Sequence, residues 1–290
     1  MSKDILASIQ SGMRSFSKGQ KAIANFILTS YDKAAFMTAS KLGRTVNVSE
    51  STVVRFAAEL GYDGYPAMQK ALQEMIRGKL TSIQRIEVSN DRIGTQDILP
   101  RVMHSDIEKI RMTLEEVDRA EFNATVDAIV GAKRIYILGV RSASALASFL
   151  GFYFNLIFEN VVIVHTSSVS EVFEQILRVG EGDIVIGISF PRYSQRTVRA
   201  MHFAHDRRAT VVAITDGSTS PLASIADHAL LAKSDMASFV DSLVAPLSLV
   251  NALIMAVGRK KNEDLSKTFE TLERIWDEYE VYEKAEENHG

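Results

Sequence analysis

Between residues 134 and 232, short apolar runs alternate with longer amphipathic stretches, and this alternation limits the fold more than any other feature of the chain. The apolar runs have the length of buried strands, and the stretches between them show the i, i+3, i+4 spacing of helices. Strands that alternate with helices predict a parallel sheet. We therefore expect a three-layer α/β/α domain, doubly wound around a five-stranded parallel sheet. The predicted strands are 134–138, 161–164, 183–189, 210–215 and 228–232.

Helical patterns surround the predicted strands. One helix is predicted at 98–117, with an apolar stripe formed by Met103, Ile107, Ile110 and Leu114. The nearly uncharged stretch 142–158 contains Ser, Asn and Tyr residues, so it predicts a buried helix and not a membrane span. A short helix is predicted to begin at Ser220-Pro221, because serine caps helices and proline suits their first position. Other helices are predicted at 121–130, 169–179, 194–207, 239–259 and 262–283.

The first 77 residues show only helical patterns. A short helix at 37–45 is followed by a tight turn and by a helix for which Ser49 is the predicted N-cap and Gly61 the terminator. Two short helices joined by such a turn predict a helix-turn-helix domain. The apolar stripe of the second helix consists of Val53, Phe56, Ala57 and Leu60.

The opposite face of that second helix carries polar side chains. In a helix-turn-helix, the residues near the N-terminus of the recognition helix read base edges, and Arg55 suits a guanine edge or a phosphate. Lys70, on the next helix, suits a phosphate. The pattern alone fits ordinary solvent-facing residues equally well. The predicted DNA-binding residues are Ser49, Glu50, Ser51, Thr52, Arg55 and Lys70.

Charge is divided unevenly along the chain. Residues 1–85 carry 12 Lys and Arg against 6 Asp and Glu, whereas the remainder carries 21 against 30. This division favours a nucleic-acid-facing head on an acidic body, although chance and the acidic C-terminal helix also account for it. A polar stretch without clear periodicity predicts a linker at 78–97, between a head at 1–77 and a body at 98–290.

Two turns that follow predicted strands are rich in hydroxyl and arginine side chains. In a doubly wound sheet, ligands bind beyond the carboxyl ends of the strands, and a helix N-terminus there favours an anion. We expect an anion site formed by both turns together, although each serine taken alone is more typical of a helix cap and each arginine of a surface or interface ion. The candidate ligand-binding residues are Arg141, Ser142, Ser144, Ser189, Arg192, Ser194 and Thr197.

The run Val48-Ser49-Glu50-Ser51-Thr52-Val53-Val54-Arg55-Phe56, with Leu60-Gly61-Tyr62-Asp63-Gly64-Tyr65 after it, resembles the head of the RpiR/MurR family of bacterial transcriptional regulators. The body resembles the sugar isomerase (SIS) domain of the same family over residues 107–260. The resemblance implies operator DNA as a partner, a phosphosugar or related sugar anion as effector, and a homodimer or homotetramer.

The two turns depart from the usual motifs of that family. Where the first turn usually reads Gly-x-Gly-x-Ser, Arg141 replaces the second glycine and Ala143 replaces the serine. Where the second usually reads Ser-x-Ser-Gly-x-Thr, Pro191 and Arg192 replace Ser-Gly, and Ser194 stands in for the threonine. The two arginines therefore fit a phosphate or a carboxylate.

We expect a cytoplasmic regulator that is not an enzyme; the alternative is a phosphosugar isomerase with an accessory helical domain. Isomerisation needs a general base beside the sugar, and no candidate lies in a recognisable catalytic string. The chain has no cysteine and no HExxH spacing, and the first turn lacks the glycines of a dinucleotide site, so we expect neither metal nor cofactor. The N-terminus lacks the layout of a signal peptide. The candidate bases are Glu159, His165, Glu171 and Glu174.

Overall fold

The computed structural model describes residues 5–76, 80–93, 97–165, 168–234 and 240–282. The chain divides into two compact units. The first comprises Met1–Arg101 and Asp235–Asp241, and the second comprises Val102–Ser234 and Ser242–Gly290. None of the helices described is long and apolar enough to cross a membrane.

The first unit is helical, as its sequence predicts. Its core contains an edge-to-face contact between Phe16 and Phe56, with ring centroids 5.1 Å apart. Tyr65 lies in the same core and donates its hydroxyl to the carbonyl of Met37 at 2.7 Å, and burial raises the pKa of Tyr65 to about 12. The helices are α1 (Ile5–Gly12), α2 (Lys18–Thr29), α3 (Tyr31–Ala34), α4 (Ala39–Thr45), α5 (Glu50–Glu59), α6 (Tyr65–Ile76) and α7 (Ser82–Ile93).

Helix α7 lies within the segment 78–97, which the sequence analysis treated as an irregular linker. The helix begins with a reciprocal cap: the Thr81 amide donates to Gln84 Oε1 at 2.9 Å, and the Gln84 amide donates to Thr81 Oγ1 at 3.2 Å. Val88 and Ser89 are buried. A helix therefore occupies most of the predicted linker, and the sequence analysis did not predict it because the helical spacing of Ile83 and Ile86 lies before the polar run 88–95 on which the linker was based.

The second unit contains, among its described residues, a five-stranded parallel sheet with the strand order β2-β1-β3-β4-β5. This confirms the predicted fold class. The elements are α8 (Ile98–Glu116, beginning in the first unit), α9 (Arg119–Val130), β1 (Ile135–Gly139), α10 (Ala143–Ile157), β2 (Val161–Ile163), α11 (Val169–Gln175), β3 (Ile184–Ile188), α12 (Gln195–Asp206), β4 (Thr210–Thr215), β5 (His228–Leu231), α13 (Val244–Lys260) and α14 (Asn262–Glu278).

Apolar side chains fill both faces of the sheet. Ile135 and Ile137 of β1 pack in a core with α9, α10 and α13. Tyr136 and Leu138 belong to a separate core with α11 and α12. Because successive strand residues point to opposite faces, α10 and α12 cover opposite sides of the sheet. The chain leaves β1 toward β2 on one side and leaves β3 toward β4 on the other, so the topological switch lies between β1 and β3.

Several predicted helices differ from the observed ones. Helices α11 and α14 end at Gln175 and Glu278, before the predicted residues 179 and 283. The segment after Ser220 forms turns over 221–225 and no helix. Helix α13 begins at Val244, later than the predicted residue 239, which lies outside the described residues. Helix α8 forms as predicted, but its apolar stripe is not a buried face, because Met103, Ile107 and Leu114 are all more than half exposed.

Candidate functional site

Helices α4 and α5 form the predicted helix-turn-helix. Residues 46–49 connect them, and the amide of Val48 donates to the carbonyl of Gly43 at 2.8 Å. A Cβ atom at Gly43 would lie 2.8 Å from the carbonyl oxygen of Val48, so a larger residue there would push the turn away from α4. The glycine thereby fixes how closely the turn approaches α4.

The N-terminus of α5 carries a cluster of hydroxyl groups. Ser49 is the N-cap, as predicted: its Oγ accepts from the Thr52 amide at 3.3 Å. The same oxygen lies 2.9 Å from Ser51 Oγ and 2.8 Å from Thr52 Oγ1. Ser49, Glu50, Ser51 and Arg55 are exposed and Thr52 is partly buried, so the structure brings these five predicted residues together on one end of one helix.

Two further residues of the helical unit, Val54 and Lys70, are exposed. Val54 lies on the exposed side of α5 with 42% of its surface accessible, and the sequence analysis missed it. The signal was an apolar residue outside the helical stripe, because Val54 does not share the i, i+3, i+4 and i+7 spacing of Val53, Phe56, Ala57 and Leu60. Lys70 is exposed on α6, a different helix from the other predicted DNA-binding residues.

The turn between β3 and α12 is held by hydroxyl side chains. The amide of Ser194 donates to Ser189 Oγ at 3.0 Å, and Ser194 Oγ accepts from the Thr197 amide at 3.4 Å. Ser194 is therefore the N-cap of α12. Arg192 is exposed in the same turn. The structure thus places Ser189, Arg192, Ser194 and Thr197 around one helix N-terminus.

The hydroxyl group of Thr197 has an unusual environment. The residue is 0% exposed, and its Oγ1 has no hydrogen-bond partner among the described residues. A buried hydroxyl without a partner costs about 1–3 kcal/mol, so such groups are uncommon and mark candidate ligand contacts. Thr197 lies in the first turn of α12, where exposed amide groups and the helix dipole also favour an anion.

The turn between β1 and α10 has a glycine-type backbone that an arginine occupies. Arg141 has φ +61°, in the left-handed region that favours glycine, and Ser144 donates its hydroxyl to the Arg141 carbonyl at 2.6 Å. Gly139 allows the strand to approach α10, because a Cβ atom there would overlap the carbonyl oxygen of Ala143. Ser142 is the N-cap residue but makes no capping hydrogen bond through its side chain. Arg141, Ser142 and Ser144 are exposed.

Strand register places the two turns side by side. Gly139, the last residue of β1, pairs with Ile188, the last residue of β3, so both turns leave the same edge of the sheet at the topological switch. We call these two turns together the cradle: 139–144 and 189–197. At the end of β4, the sequence analysis missed Asp216, which is buried and accepts from the Tyr193 hydroxyl at 2.8 Å. The signal was a polar residue directly after an apolar strand.

No group of three or more metal-ligating side chains occurs among the residues that the structure describes.

Two family models match the chain: "Helix-turn-helix domain, rpiR family" at residues 3–79 and "SIS domain" at residues 128–256. The regulator HexR of Escherichia coli is 24% identical over 93% of this chain and 94% of its own length. HexR of Pseudomonas aeruginosa is also 24% identical, over 90% and 92%.

The chain belongs to the RpiR family of transcriptional regulators.

Two solved structures share the fold of this RpiR-family chain. The sugar isomerase domain of an RpiR transcription factor from Sphaerobacter thermophilus is 29% identical, with a TM-score of 0.58 over 62% of this chain and 99% of that one. NanR of Vibrio vulnificus, solved with ManNAc-6P, is 23% identical, with a TM-score of 0.58 over 94% and 99%. The resemblance drawn from the sequence motifs is therefore confirmed. The domain limits 1–77, 78–97 and 98–290 stay a prediction.

Proposed function

We propose that the protein is a cytoplasmic regulator that binds operator DNA through α5 and releases or tightens on it when a sugar phosphate or related sugar anion binds the cradle. The exposed N-terminal half of α5 supports the DNA role. It presents Ser51, Val54 and Arg55, which suit phosphate, a thymine methyl group and a guanine edge respectively. Lys70 on α6 adds a candidate phosphate contact.

The observation that carries the effector proposal is the unpaired, fully buried hydroxyl of Thr197 beside the capped N-terminus of α12. A phosphate there would receive backbone amides, the hydroxyls of Ser142, Ser144, Ser189 and Ser194, and charge from Arg141 and Arg192. NanR, a protein of the same fold, is solved with a sugar phosphate, which supports this ligand class. Asp216 lies at the end of the neighbouring strand β4. Its carboxylate suits a hydrogen bond from a sugar hydroxyl and does not suit contact with the anion.

For the alternative, a phosphosugar isomerase, the described contacts give no support to three of the four candidate general bases, and the fourth, Glu174, lies on α11. Glu159 lies two residues before β2, at the amino edge of the sheet, whereas the cradle lies at the carboxyl edge. Glu171 caps α11 by accepting from the Ser168 amide at 3.2 Å. The backbone of His165 is held by the side chain of Gln175 through two hydrogen bonds. Relatives named as transcriptional regulators also favour a protein that is not an enzyme.

We also propose a homodimer or homotetramer with α8 in the subunit interface. Its row of exposed apolar side chains is unlike the surface of a monomeric protein, where large apolar patches are rare. A second copy of the chain fits this row. In a twofold dimer the same surface of both subunits meets, so α8 of one copy covers the exposed apolar side chains of α8 in the other. The exposed residues are Ile98, Leu99, Val102, Met103, Ile107 and Leu114.

Two assays on the intact protein test the proposal. The first is titration with the DNA upstream of its own operon, where we expect binding to one specific site; an isomerase activity on phosphosugars without specific DNA binding would contradict it. The second is thermal-shift screening with glucose 6-phosphate, ManNAc-6P and 6-phosphogluconate. We expect at least one to stabilise the wild type, and the variants Thr197→Val and Ser194→Ala to weaken that stabilisation.

A further inference from the structure

Helix α12 lies in a run of arginines that the proposed function uses only at its first residue, Arg192. Residues 192–208 contain five arginines and two histidines against one aspartate, and they contain no lysine. The other residues from 86 to 290 carry 16 Lys and Arg against 29 Asp and Glu. The basic run is therefore a local feature in an acidic part of the chain and does not follow from the overall composition.

Much of this positive charge has no compensating partner. Arg199, Arg207 and Arg208 are exposed, and none of them forms an ion pair with another residue that the structure describes. Asp206, the one acidic residue of the run, is exposed and forms no ion pair within the same described residues. Arg196 and Arg199 are three positions apart, a spacing at which like charges on a helix repel each other. The run thus presents positive charge that an anionic partner can neutralise.

The arginines follow one side of α12. Arg196, Arg199 and Arg207 stand at i, i+3 and i+11, with Phe203 at i+7, so the four side chains lie along one row. The fully buried residues of the helix occupy a different side. At a rise of about 1.5 Å per residue, the row is about 17 Å long.

The ring of Phe203 holds the end of the row in place. The guanidinium carbon of Arg207 lies 3.9 Å from the centroid of this ring. The ring in turn contacts Phe173 of α11 edge to face, with 5.3 Å between the ring centroids. Stacking occupies one flat face of the guanidinium and leaves the N–H groups at its rim able to donate hydrogen bonds. Arg207 is therefore positioned to bind an anion at the surface.

The chemistry of the row fits the phosphate backbone of duplex DNA. A guanidinium can donate two parallel hydrogen bonds to one phosphate, which the ammonium group of lysine cannot do. A row about 17 Å long exceeds one small anion, whereas duplex DNA carries one negative charge per about 1.7 Å of its axis. The chain belongs to a family of transcriptional regulators with a helix-turn-helix domain, so duplex DNA is the polyanion that it is expected to meet.

We propose that this side of α12 is a second DNA-binding surface, at which Arg199, Arg207 and Arg208 bind phosphates whatever the base sequence. The surface goes beyond the proposed function, in which only α5 and Lys70 contact DNA. Contacts to phosphates supply affinity that depends on salt, whereas contacts to base edges supply sequence specificity. Helix α12 therefore adds affinity, and α5 reads the operator.

The first test uses the full chain and a labelled random-sequence duplex of about 30 base pairs, roughly three helical turns. Affinity is measured between about 50 and 200 mM NaCl for the wild type and for Arg199→Gln/Arg207→Gln. The slope of log affinity against log salt should fall in magnitude by about two, because two phosphate contacts are lost. The affinity at about 100 mM NaCl should fall by about tenfold.

The matched control is Arg119→Gln/Arg274→Gln, which removes two exposed arginines of α9 and α14 and should stay within about twofold of the wild type. Arg199→Lys/Arg207→Lys keeps the charge and should keep the salt slope. Equal losses in the α12 variant and the control would reduce the effect to net charge and overturn the proposal. A wild type that does not bind the random duplex at about 50 mM NaCl would also overturn it. If Arg199→Gln/Arg207→Gln loses its native circular dichroism, Arg199→Gln/Arg208→Gln takes its place.

Two further measurements separate this surface from its alternatives. Sedimentation without DNA should give the same mass for the wild type and Arg199→Gln/Arg207→Gln; a smaller variant would assign α12 to a contact between copies of the chain and overturn the proposal. With operator DNA, that variant should weaken operator and random binding by the same factor, whereas Arg55→Ala should lower their ratio. An unchanged ratio for Arg55→Ala would contradict the proposed role of α5 and leave α12 unaffected. An unchanged random-duplex affinity for the α12 variant would contradict α12 alone.

Discussion

At the residue scale, several side chains with a proposed role in recognition also have an observed structural role. Ser49 caps α5 and contributes to the hydroxyl cluster at its N-terminus, so its cap is compatible with the proposed DNA contact. Ser194 combines a cap with the cradle in the same way. Thr197 differs, because its hydroxyl has no hydrogen-bond partner among the described residues. Substituting a hydroxyl that caps a helix should therefore have a different effect from substituting a hydroxyl without a hydrogen-bond partner.

Arg55→Ala should weaken specific operator binding by about 1–3 kcal/mol if Arg55 reads a base, because a bidentate contact to guanine contributes that much discrimination. Ser51→Ala should have a smaller effect. Anisotropy titration with labelled operator measures both, with Arg14→Ala, an exposed arginine just beyond α1, as the matched control. An unchanged operator affinity for a folded Arg55→Ala variant would remove Arg55 from the interface.

Thr197→Val should leave the free energy of unfolding of the unliganded protein unchanged or raise it by about 1 kcal/mol, since valine keeps the shape and removes an unpaired polar group. The same substitution should weaken binding of a stabilising sugar phosphate. Urea denaturation and thermal shift give the two values, and Thr125→Val, a buried threonine on α9 whose hydroxyl donates to the Glu121 carbonyl, is the control. A clear loss of unliganded stability would show that the Thr197 hydroxyl is paired in solution.

At the element scale, sequence periodicity predicted the parallel sheet because buried strands and amphipathic helices differ in their spacing of apolar residues. It did not predict helix α7, whose segment was interpreted as a linker, and it did not indicate that most of the apolar stripe of α8 is exposed. Asp216 had a local signal, a polar residue directly after an apolar strand, but its hydrogen bond with Tyr193 of another strand connection could not be read from the sequence.

Helix α8 gives a prediction of its own. Ile107→Glu should convert the oligomer to smaller species, because a charge in the apolar row must be desolvated on association. Analytical ultracentrifugation against the chain mass of 32.1 kDa measures the change. The matched control is Glu108→Gln, an exposed residue adjacent to Ile107 on the same helix. A wild-type chain that is monomeric at micromolar concentration would contradict the interface.

At the scale of the whole molecule, the chain has two compact units, one with the helix proposed to bind DNA and one with the cradle proposed to bind an anion. Motifs in the sequence identified the helix-turn-helix and SIS domains, since the helix-turn-helix string and the strand-end turns are local. The segment of the SIS sequence that belongs to the head unit was not predictable, because Arg85 and Asp241, which form a hydrogen bond within that unit, are 156 positions apart.

The most direct test of the account is a titration of operator DNA with the intact protein, with and without a sugar phosphate that stabilises it, in the wild type and in Arg192→Ala/Ser194→Ala. The account predicts that the ligand changes the operator affinity of the wild type by about fivefold or more. The double variant should bind operator nearly as well as the unliganded wild type and lose the response to ligand. A double variant that responds at wild-type ligand concentrations would show that the effector does not bind in the cradle.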